Sequence, residues 1–455
     1  MSSDRDTIFA LSSGRPPAAI AVIRICGPQA GTALVKLTGR MPRPRQAAVA
    51  RLRDPTSGDM IDEDLALWFP GPHSDTGEDT AELQVHGGRA VIAAVLAALA
   101  KLPGLRHAEA GEFTRRAFEN GRMDLTAVEG LADLVAAETE AQRRQALRQL
   151  KGLLGERAES WRQRLIEALA LVEAGIDFSD EEDVPKDMMV RALELVRPLA
   201  EEIAQAAGSR HGERLREGLR VAIAGPPNAG KSTLFNRLAR RDAAIVSPFP
   251  GTTRDVLEVH LDLGGYPVTV LDTAGIRETN DPIECEGVRR ASAQAADADL
   301  VLWLLDATAI GGASSFDSPV AIPTDCRVWV AVNKIDLIGS TEKERIESRF
   351  NRELTVHFIS SATGAGVDNL AAELSRFAGE FFPRESALVT RARQRALLEE
   401  TILALSEAEK AAAEGREEIM AEQLRLATRA LGKLLGRVDV EDVLDVIFRD
   451  FCIGK

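Results

Sequence analysis

The run Gly225-Pro226-Pro227-Asn228-Ala229-Gly230-Lys231-Ser232 matches G-x-x-x-x-G-K-[ST] and leaves the surrounding chain few ways to fold. Residues 219–224 read as a buried strand and residues 233–238 as a helix, so the octapeptide joins strand to helix. In that setting backbone N–H groups and the helix N-terminus converge on one anion, which implies a nucleoside triphosphate held on an α/β sheet. Lys231 is expected to reach the outer phosphates. The Ser232 hydroxyl is expected to ligate Mg2+, held otherwise by phosphate oxygens and water.

Asn333-Lys334-Ile335-Asp336 follows the apolar residues 328–332 and so stands at the carboxyl end of another strand. A carboxylate at Asp336 accepts both guanine donors, N1–H and N2–H, whereas adenine would leave it unpaired. Asn333 is expected to brace the loop. Asp272-Thr273-Ala274-Gly275 ends a strand over 268–271, placing Asp272 to reach Mg2+ through water and the Gly275 N–H to meet the γ-phosphate. Gly251-Thr252-Thr253-Arg254-Asp255 lies between, where a switch segment supplies Thr253 as a second Mg2+ ligand. Residues 257–263 and 266–271, joined by Gly264-Gly265, read as a β-hairpin that adds an antiparallel edge to a parallel sheet. In this order the motifs define a Ras-like GTPase domain. Ile276 stands where many GTPases keep a water-orienting Gln, so another polar group, such as Glu284 in the acidic stretch 278–286, or a cation must do that work.

A GTPase unit of roughly 160 residues does not account for a chain of 455 with 45% hydrophobic content. Strands at 18–25, 60–69 and 80–86, then a helix at 89–102, predict an α+β domain over 1–122. From 125 to about 174 the apolar spacing fits long helices, with an irregularity at Gly152 and Gly155. Helical periodicity returns at 384–415, 417–435 and 440–451, so the GTPase domain (217–380) reads as inserted between a first helical part (123–216) and a second (381–455). The acidic run 177–183 lacks the alternation of a calcium loop and reads as a solvated connection. Cys26, Cys285, Cys326 and Cys452 form no C-x-x-C pair, which predicts free thiols, and the final Cys452-Ile453-Gly454-Lys455 is a poor prenylation box. No apolar run approaches the roughly 20 residues of a membrane span, and the first residues are polar and acidic, so a cytoplasmic protein without membrane contact is expected. The net charge is -14, and its distribution is uneven: residues 1–122 carry 15 Lys plus Arg against 14 Asp plus Glu, the rest 41 against 56. That balance argues against a markedly basic RNA-binding extension of the kind ribosome-assembly GTPases carry.

Over nearly its whole length the chain resembles the tRNA-modifying GTPases of the MnmE or TrmE family. The likeness rests on Asp6-Thr7-Ile8, Ala21-Val22-Ile23-Arg24-Ile25, Trp68-Phe69-Pro70-Gly71-Pro72, Gly77-Glu78-Asp79, and Gly111-Glu112-Phe113-Thr114-Arg115-Arg116-Ala117-Phe118. It continues through residues 228–233, the 251–255 and 272–275 motifs, and the terminal Phe451-Cys452-Ile453-Gly454-Lys455. The resemblance implies a multidomain α+β and α/β chain: an N-terminal α+β folate-binding domain that pairs two subunits into a homodimer, a discontinuous α-helical domain, and the inserted GTPase domain. It implies a tetrahydrofolate derivative (the 5,10-methylene or 5-formyl form) at Arg24, Glu82, Arg122 and Lys455. Glu82 shares a strand face with Gln84 and His86, suiting pterin N–H donors, while Arg24, Arg122 and Lys455 suit the glutamate tail. Relatives place K+ where other GTPases use an arginine finger, and the implied ligands are Asn228, Ser247, Phe249 and Thr252. GTP contacts implied by motif add Ala229, Gly230, Thr233, Thr273, Ala274, Lys334, Ser360 and Ser361. Glu284 matches the family's water-orienting glutamate. Ser360-Ser361-Ala362 departs from the usual Ser-Ala pattern, which leaves open the register of the N–H that reads guanine O6. The implied reaction adds an aminomethyl or carboxymethylaminomethyl group to the wobble uridine of certain tRNAs, within a heterotetramer with the flavoprotein MnmG, which supplies FAD and uses NADH. Basic clusters at 143–151 and 210–220 are candidate aids to tRNA binding. The competing reading is a regulatory GTPase acting through effector binding, and folate binding separates the two.

Overall fold

The computed structural model describes residues 6–177, 188–240, 257–272, 298–310, 326–350, 354–382 and 387–438, together with 444, 447–448, 451 and 453–454. The chain divides into two compact units: residues 1–132, 149–200 and 400–455, and residues 133–148 with 201–399.

The first unit holds a six-stranded sheet of β1 (Thr7–Leu11), β2 (Ile20–Cys26), β3 (Ala48–Arg53), β4 (Met60–Phe69), β5 (Thr80–His86) and β6 (Leu105–His107), ordered β3-β4-β5-β2-β1-β6. All neighbours are antiparallel except β1 and β6. The alternation of β2 explains its register: Ala21, Ile23 and Ile25 are fully buried, while Arg24 between them points to the other face. Helices α1 (Ala30–Thr38) and α2 (Arg89–Ala100) bring Leu34, Leu37, Val95 and Leu99 onto that buried face. The expected strands and α2 are present, whereas β1, β3 and α1 carry too little pattern to have been read.

The quoted family motifs of this unit hold it together. Arg116, in α3 (Glu112–Glu119), is almost wholly buried and donates to Glu78 at 2.9 Å, Glu112 at 3.0 Å and the Asp6 carbonyl at 2.9 Å. Asp79 accepts the Gly71 N–H at 2.9 Å. Beyond α4 (Leu125–Ala136) and α5 (Glu140–Leu150), the expected irregularity is a break at Gly152, φ +91°, before the long α6 (Leu153–Asp177). Gly155 lies inside α6, where a Cβ would collide with the Asp124 carboxylate. Helix α7 (Met188–Ala207), absent from the sequence reading, buries Val196, Leu199 and Ile203.

The second unit holds β7 (Leu219–Ala224), β8 (Leu257–Leu263), β9 (Tyr266–Asp272), β10 (Leu300–Asp306), β11 (Arg327–Asn333) and β12 (Thr355–Phe358), ordered β12-β11-β10-β7-β9-β8. Only the β8–β9 pair is antiparallel, as the glycine turn predicts. Among the described residues, helices α8 (His211–Glu217), α9 (Lys231–Ala239), α10 (Ser340–Glu347) and α11 (Val367–Phe381) accompany this sheet. A collar joins it to the helical segments of the same unit. Asp133 accepts from Arg216 at 2.9 Å and Arg391 at 2.6 Å, and the Gln145 amide donates to the Gly212 carbonyl at 2.9 Å.

In the last part of the chain the helix expected from 384 begins later, as α12 (Ala392–Ala413). The Gln394 side chain accepts the Thr390 N–H at 2.9 Å, which starts the helix there rather than upstream. Helix α13 (Glu417–Leu435) packs along α6, with Arg425 to Glu173 at 2.8 Å and Arg437 to Glu159 at 2.9 Å. Most of the helix expected at 440–451 lies outside the described residues. Four of the basic residues expected as candidate aids to tRNA binding have acidic partners: Arg143 and Arg144 with Glu140, Arg214 with Asp299, Arg216 with Asp133.

Candidate functional site

Strand β7 ends at Ala224 and α9 starts at Lys231, so the loop between them is set by two rigid elements. Its glycines are steric necessities. Gly225, φ +144°, lies where a Cβ would collide with the Leu304 carbonyl of β10; Gly230, φ +97°, lies where one would collide with the Asn333 amide. Asn228 is exposed in the left-handed region at φ +61°, a conformation Asn tolerates better than most side chains. Ala229 is buried beneath it. The Lys231 ammonium donates to the Gly225 carbonyl at 2.9 Å and the Pro226 carbonyl at 3.0 Å, closing the loop into a ring. Ser232 and Thr233 are exposed in the first turn of α9, while Leu234, Phe235 and Leu238 anchor that helix in the core.

Asn333 ends β11 and is 2% exposed. Its Nδ2 donates to the Ala229 carbonyl at 2.7 Å, and its Oδ1 accepts the Ser361 N–H at 2.8 Å. One side chain thereby ties the phosphate loop, the Asn-Lys-Ile-Asp segment and the 360–364 loop together, the bracing role expected of it. Ser360 is fully buried and folds that loop on itself: its N–H donates to Ala365, its carbonyl accepts from Gly364, and its hydroxyl accepts the Thr363 N–H. Lys334, at φ +64°, reaches back to Asp306 Oδ2 at 2.6 Å. Burial alone would raise the Asp306 pKa, but the hydrogen bonds from Lys334 and Thr308 hold it below the ordinary carboxylate range. Asp336 sits exposed in the 3-10 turn Ile335–Leu337. A cavity of about 990 Å³ lies between α9 and the 360–364 loop, with Thr233, Arg237, Ser361 and Asp368 in its wall.

In the other unit Arg24 and Glu82 are cross-strand partners on β2 and β5. The guanidinium donates to Glu82 Oε1 at 3.0 Å and 2.7 Å and lies 5.8 Å from the centre of the Phe113 ring. Two residues expected to serve opposite ends of one ligand are therefore in contact with each other. Arg122 is exposed beside Gly77. Gly454, φ +101°, packs where a Cβ would collide with the Leu11 carbonyl, and Ile453 bridges Ala110. Because Leu11 pairs with Ile23, Gly454 lies near the strand that carries Arg24.

Residues 7–122 match the family described as GTP-binding protein TrmE N-terminus, and residues 125–452 match the MnmE helical domain. The chain belongs to the MnmE family. It is 57% identical to the tRNA modification GTPase MnmE of Bradyrhizobium sp. (strain BTAi1), covering 99% of both chains. The MnmE of Rhodopseudomonas palustris (strain BisB18) is 55% identical over 100% of both, and that of Parvibaculum lavamentivorans 54% over 99% of this chain and all of its own.

Of the site residues expected from sequence, Asn228, Ala229, Gly230, Lys231, Ser232, Thr233, Asn333, Lys334, Asp336, Ser360 and Ser361 lie at the carboxyl ends of β7, β11 and β12 or in the segments that follow them. Asp272 closes β9 beside Ile223 of β7. Ser247, Phe249, Thr252, Thr253, Thr273, Ala274, Gly275, Glu284 and Lys455 lie outside the described residues. Sequence reasoning missed two contributors, Asp306 and Arg237. The first was findable as the acid ending an apolar strand; the second, one arginine on an amphipathic helix, carried no signal.

Proposed function

We propose that this MnmE-family chain binds and hydrolyses GTP in the cytoplasm. With MnmG, it installs an aminomethyl or carboxymethylaminomethyl group on the wobble uridine of certain tRNAs. The observation that supports the GTP half most strongly is the Asn333 bridge between Ala229 and Ser361, which assembles phosphate-binding and base-reading loops into one site. In this reading phosphate oxygens replace the Gly225 and Pro226 carbonyls as partners of Lys231, and backbone N–H groups at the start of α9 bind the remaining charge. Asp336 takes the guanine N1–H and N2–H. Ser232 and Thr253 would hold Mg2+, and Asn228, Ser247, Phe249 and Thr252 would hold K+; the exposed hydroxyl of Ser232 and the exposed amide of Asn228 fit those roles. When bound, the two cations supply positive charge against the phosphate oxygens as the β–γ bond breaks. Glu284 orients the attacking water in place of the Gln that Ile276 replaces.

Arg24, Glu82, Arg122 and Lys455 form the folate site of this proposal, supported by the meeting of the Arg24–Glu82 pair and the chain terminus at one part of the sheet. Tetrahydrofolate, when bound, supplies the one-carbon unit; FAD and NADH enter through MnmG, and the chain acts as a homodimer within the heterotetramer. The test is to incubate unmodified tRNA with the chain, MnmG, GTP, 5,10-methylenetetrahydrofolate, NADH and either an ammonium salt or glycine, and to read the wobble nucleoside by mass spectrometry. A modified uridine that requires both proteins supports the proposal. Ongoing GTP hydrolysis with unmodified uridine throughout would instead favour a regulatory GTPase.

A further inference from the structure

The Arg237 side chain lies on the half of α9 that faces the 360–364 loop, and its guanidinium is spent on backbone carbonyls rather than on an acid. Nε donates to the Ser361 carbonyl at 2.6 Å, and Nη2 donates to the Ala362 carbonyl. Gly364, φ +96°, passes close by: a Cβ there would lie 2.6 Å from Arg237 Nη1. The loop is thus built to admit the guanidinium. Meanwhile the Ser361 N–H is already used by Asn333. In a trans peptide the N–H runs antiparallel to the preceding carbonyl, so fixing the Ser361 carbonyl fixes the direction of the Ala362 N–H. Two carbonyls held by one planar fork define the Ser361–Ala362 and Ala362–Thr363 peptide planes as a unit.

We infer that Arg237 is a positioning residue for guanine recognition, clamping the peptide whose N–H reads O6 of the base. This rests on the GTP reading above and adds to it a specificity element carried by the phosphate-loop helix. It also answers the open register, since the Ala362 N–H is the donor the clamp orients. The half-buried arginine itself touches no nucleotide atom in this account; it acts through the loop.

The test compares GTP with 6-thio-GTP and ITP in equilibrium binding to the full chain, for wild type, Arg237→Ala and Arg237→Lys. The thiocarbonyl is a weak acceptor, so 6-thio-GTP reports the O6 arm, whereas ITP lacks only the 2-amino group and reports Asp336. Wild type should prefer GTP over 6-thio-GTP. In Arg237→Ala that preference should shrink by about fivefold to tenfold, the worth of one well-aligned hydrogen bond, while the GTP-to-ITP ratio holds. Arg237→Lys, which keeps the charge but not the fork, should fall between, and it decides the matter if the alanine variant does not fold. An unchanged GTP to 6-thio-GTP ratio, or equal weakening of all three nucleotides, would overturn the inference and leave Arg237 a support of the fold. Failure of wild type to prefer GTP over ATP would instead defeat the guanine reading beneath it.

Discussion

Gly230 and Asn333 should behave as one device, and a double-mutant cycle measures it. Asn333→Ala strips the partner from the Ala229 carbonyl and from the Ser361 N–H, on residues that are 1% and 2% exposed. Each buried group left unpaired costs ~1–3 kcal/mol, so the local loss should be about 2–6 kcal/mol. Gly230→Ala carries two costs: a side chain at φ +97°, worth about 1–2 kcal/mol, and a Cβ in the space of the Asn333 amide, which expels it and forfeits the same two hydrogen bonds. Alone, Gly230→Ala should therefore cost about 3–8 kcal/mol. In the Asn333→Ala background the collision disappears and only the backbone cost of about 1–2 kcal/mol should remain. Native-state hydrogen exchange on peptides covering 219–240 and 327–346 reads the local free energies without assuming one cooperative transition for a multidomain chain. Additivity of the two substitutions within about 0.5 kcal/mol would refute the reasoning.

Two further outcomes follow from other sites. Asp336→Asn removes an acceptor facing two guanine donors, so GTP affinity should drop by at least ~2 kcal/mol while XTP binding improves; unchanged GTP titration would remove Asp336 from base recognition. Asp64, on β4, is 7% exposed with neither carboxylate oxygen hydrogen-bonded, and burial, reinforced by Asp62 and opposed by His86, raises its pKa to about 7. A raised carboxyl pKa means the folded state prefers the protonated form, so stability falls as pH climbs from about 4 to about 7, by up to about 4 kcal/mol, and stays reduced above that. Asp64→Asn should therefore gain melting temperature relative to wild type at pH 8 but not at pH 4; the same difference at both values would contradict the assignment.

What the sequence made legible is the chemistry tied to a local pattern. The strand-loop-helix around residues 225–232 and the hairpin turning at Gly264-Gly265 are both local, and both are in place. The fit of Gly230 to Asn333 was not legible, because more than a hundred residues separate them and only the fold brings them together. The same holds for Arg237 and the Ser361 carbonyl, and for Arg116 and Glu78, which stand in separate family motifs but bond to each other. The pairing of Arg24 with Glu82 was likewise hidden in the sequence. The resemblance gives them separate tasks, and their register on adjacent strands, which no local pattern shows, also makes them partners. Short edge strands such as β3 and the amphipathic α1 escaped because their pattern is weak, and packing rather than propensity selects them.

One comparison tests the guanine site and the K+ site together: GTP and ATP hydrolysis by the full chain with Mg2+, measured side by side in KCl and in NaCl. GTP should be hydrolysed in KCl, about tenfold or more slowly in NaCl, and ATP should remain near background in both. ATP turned over as readily as GTP would contradict the guanine site built around Asn333 and Asp336, and equal GTP turnover in the two salts would remove K+ from the proposed mechanism.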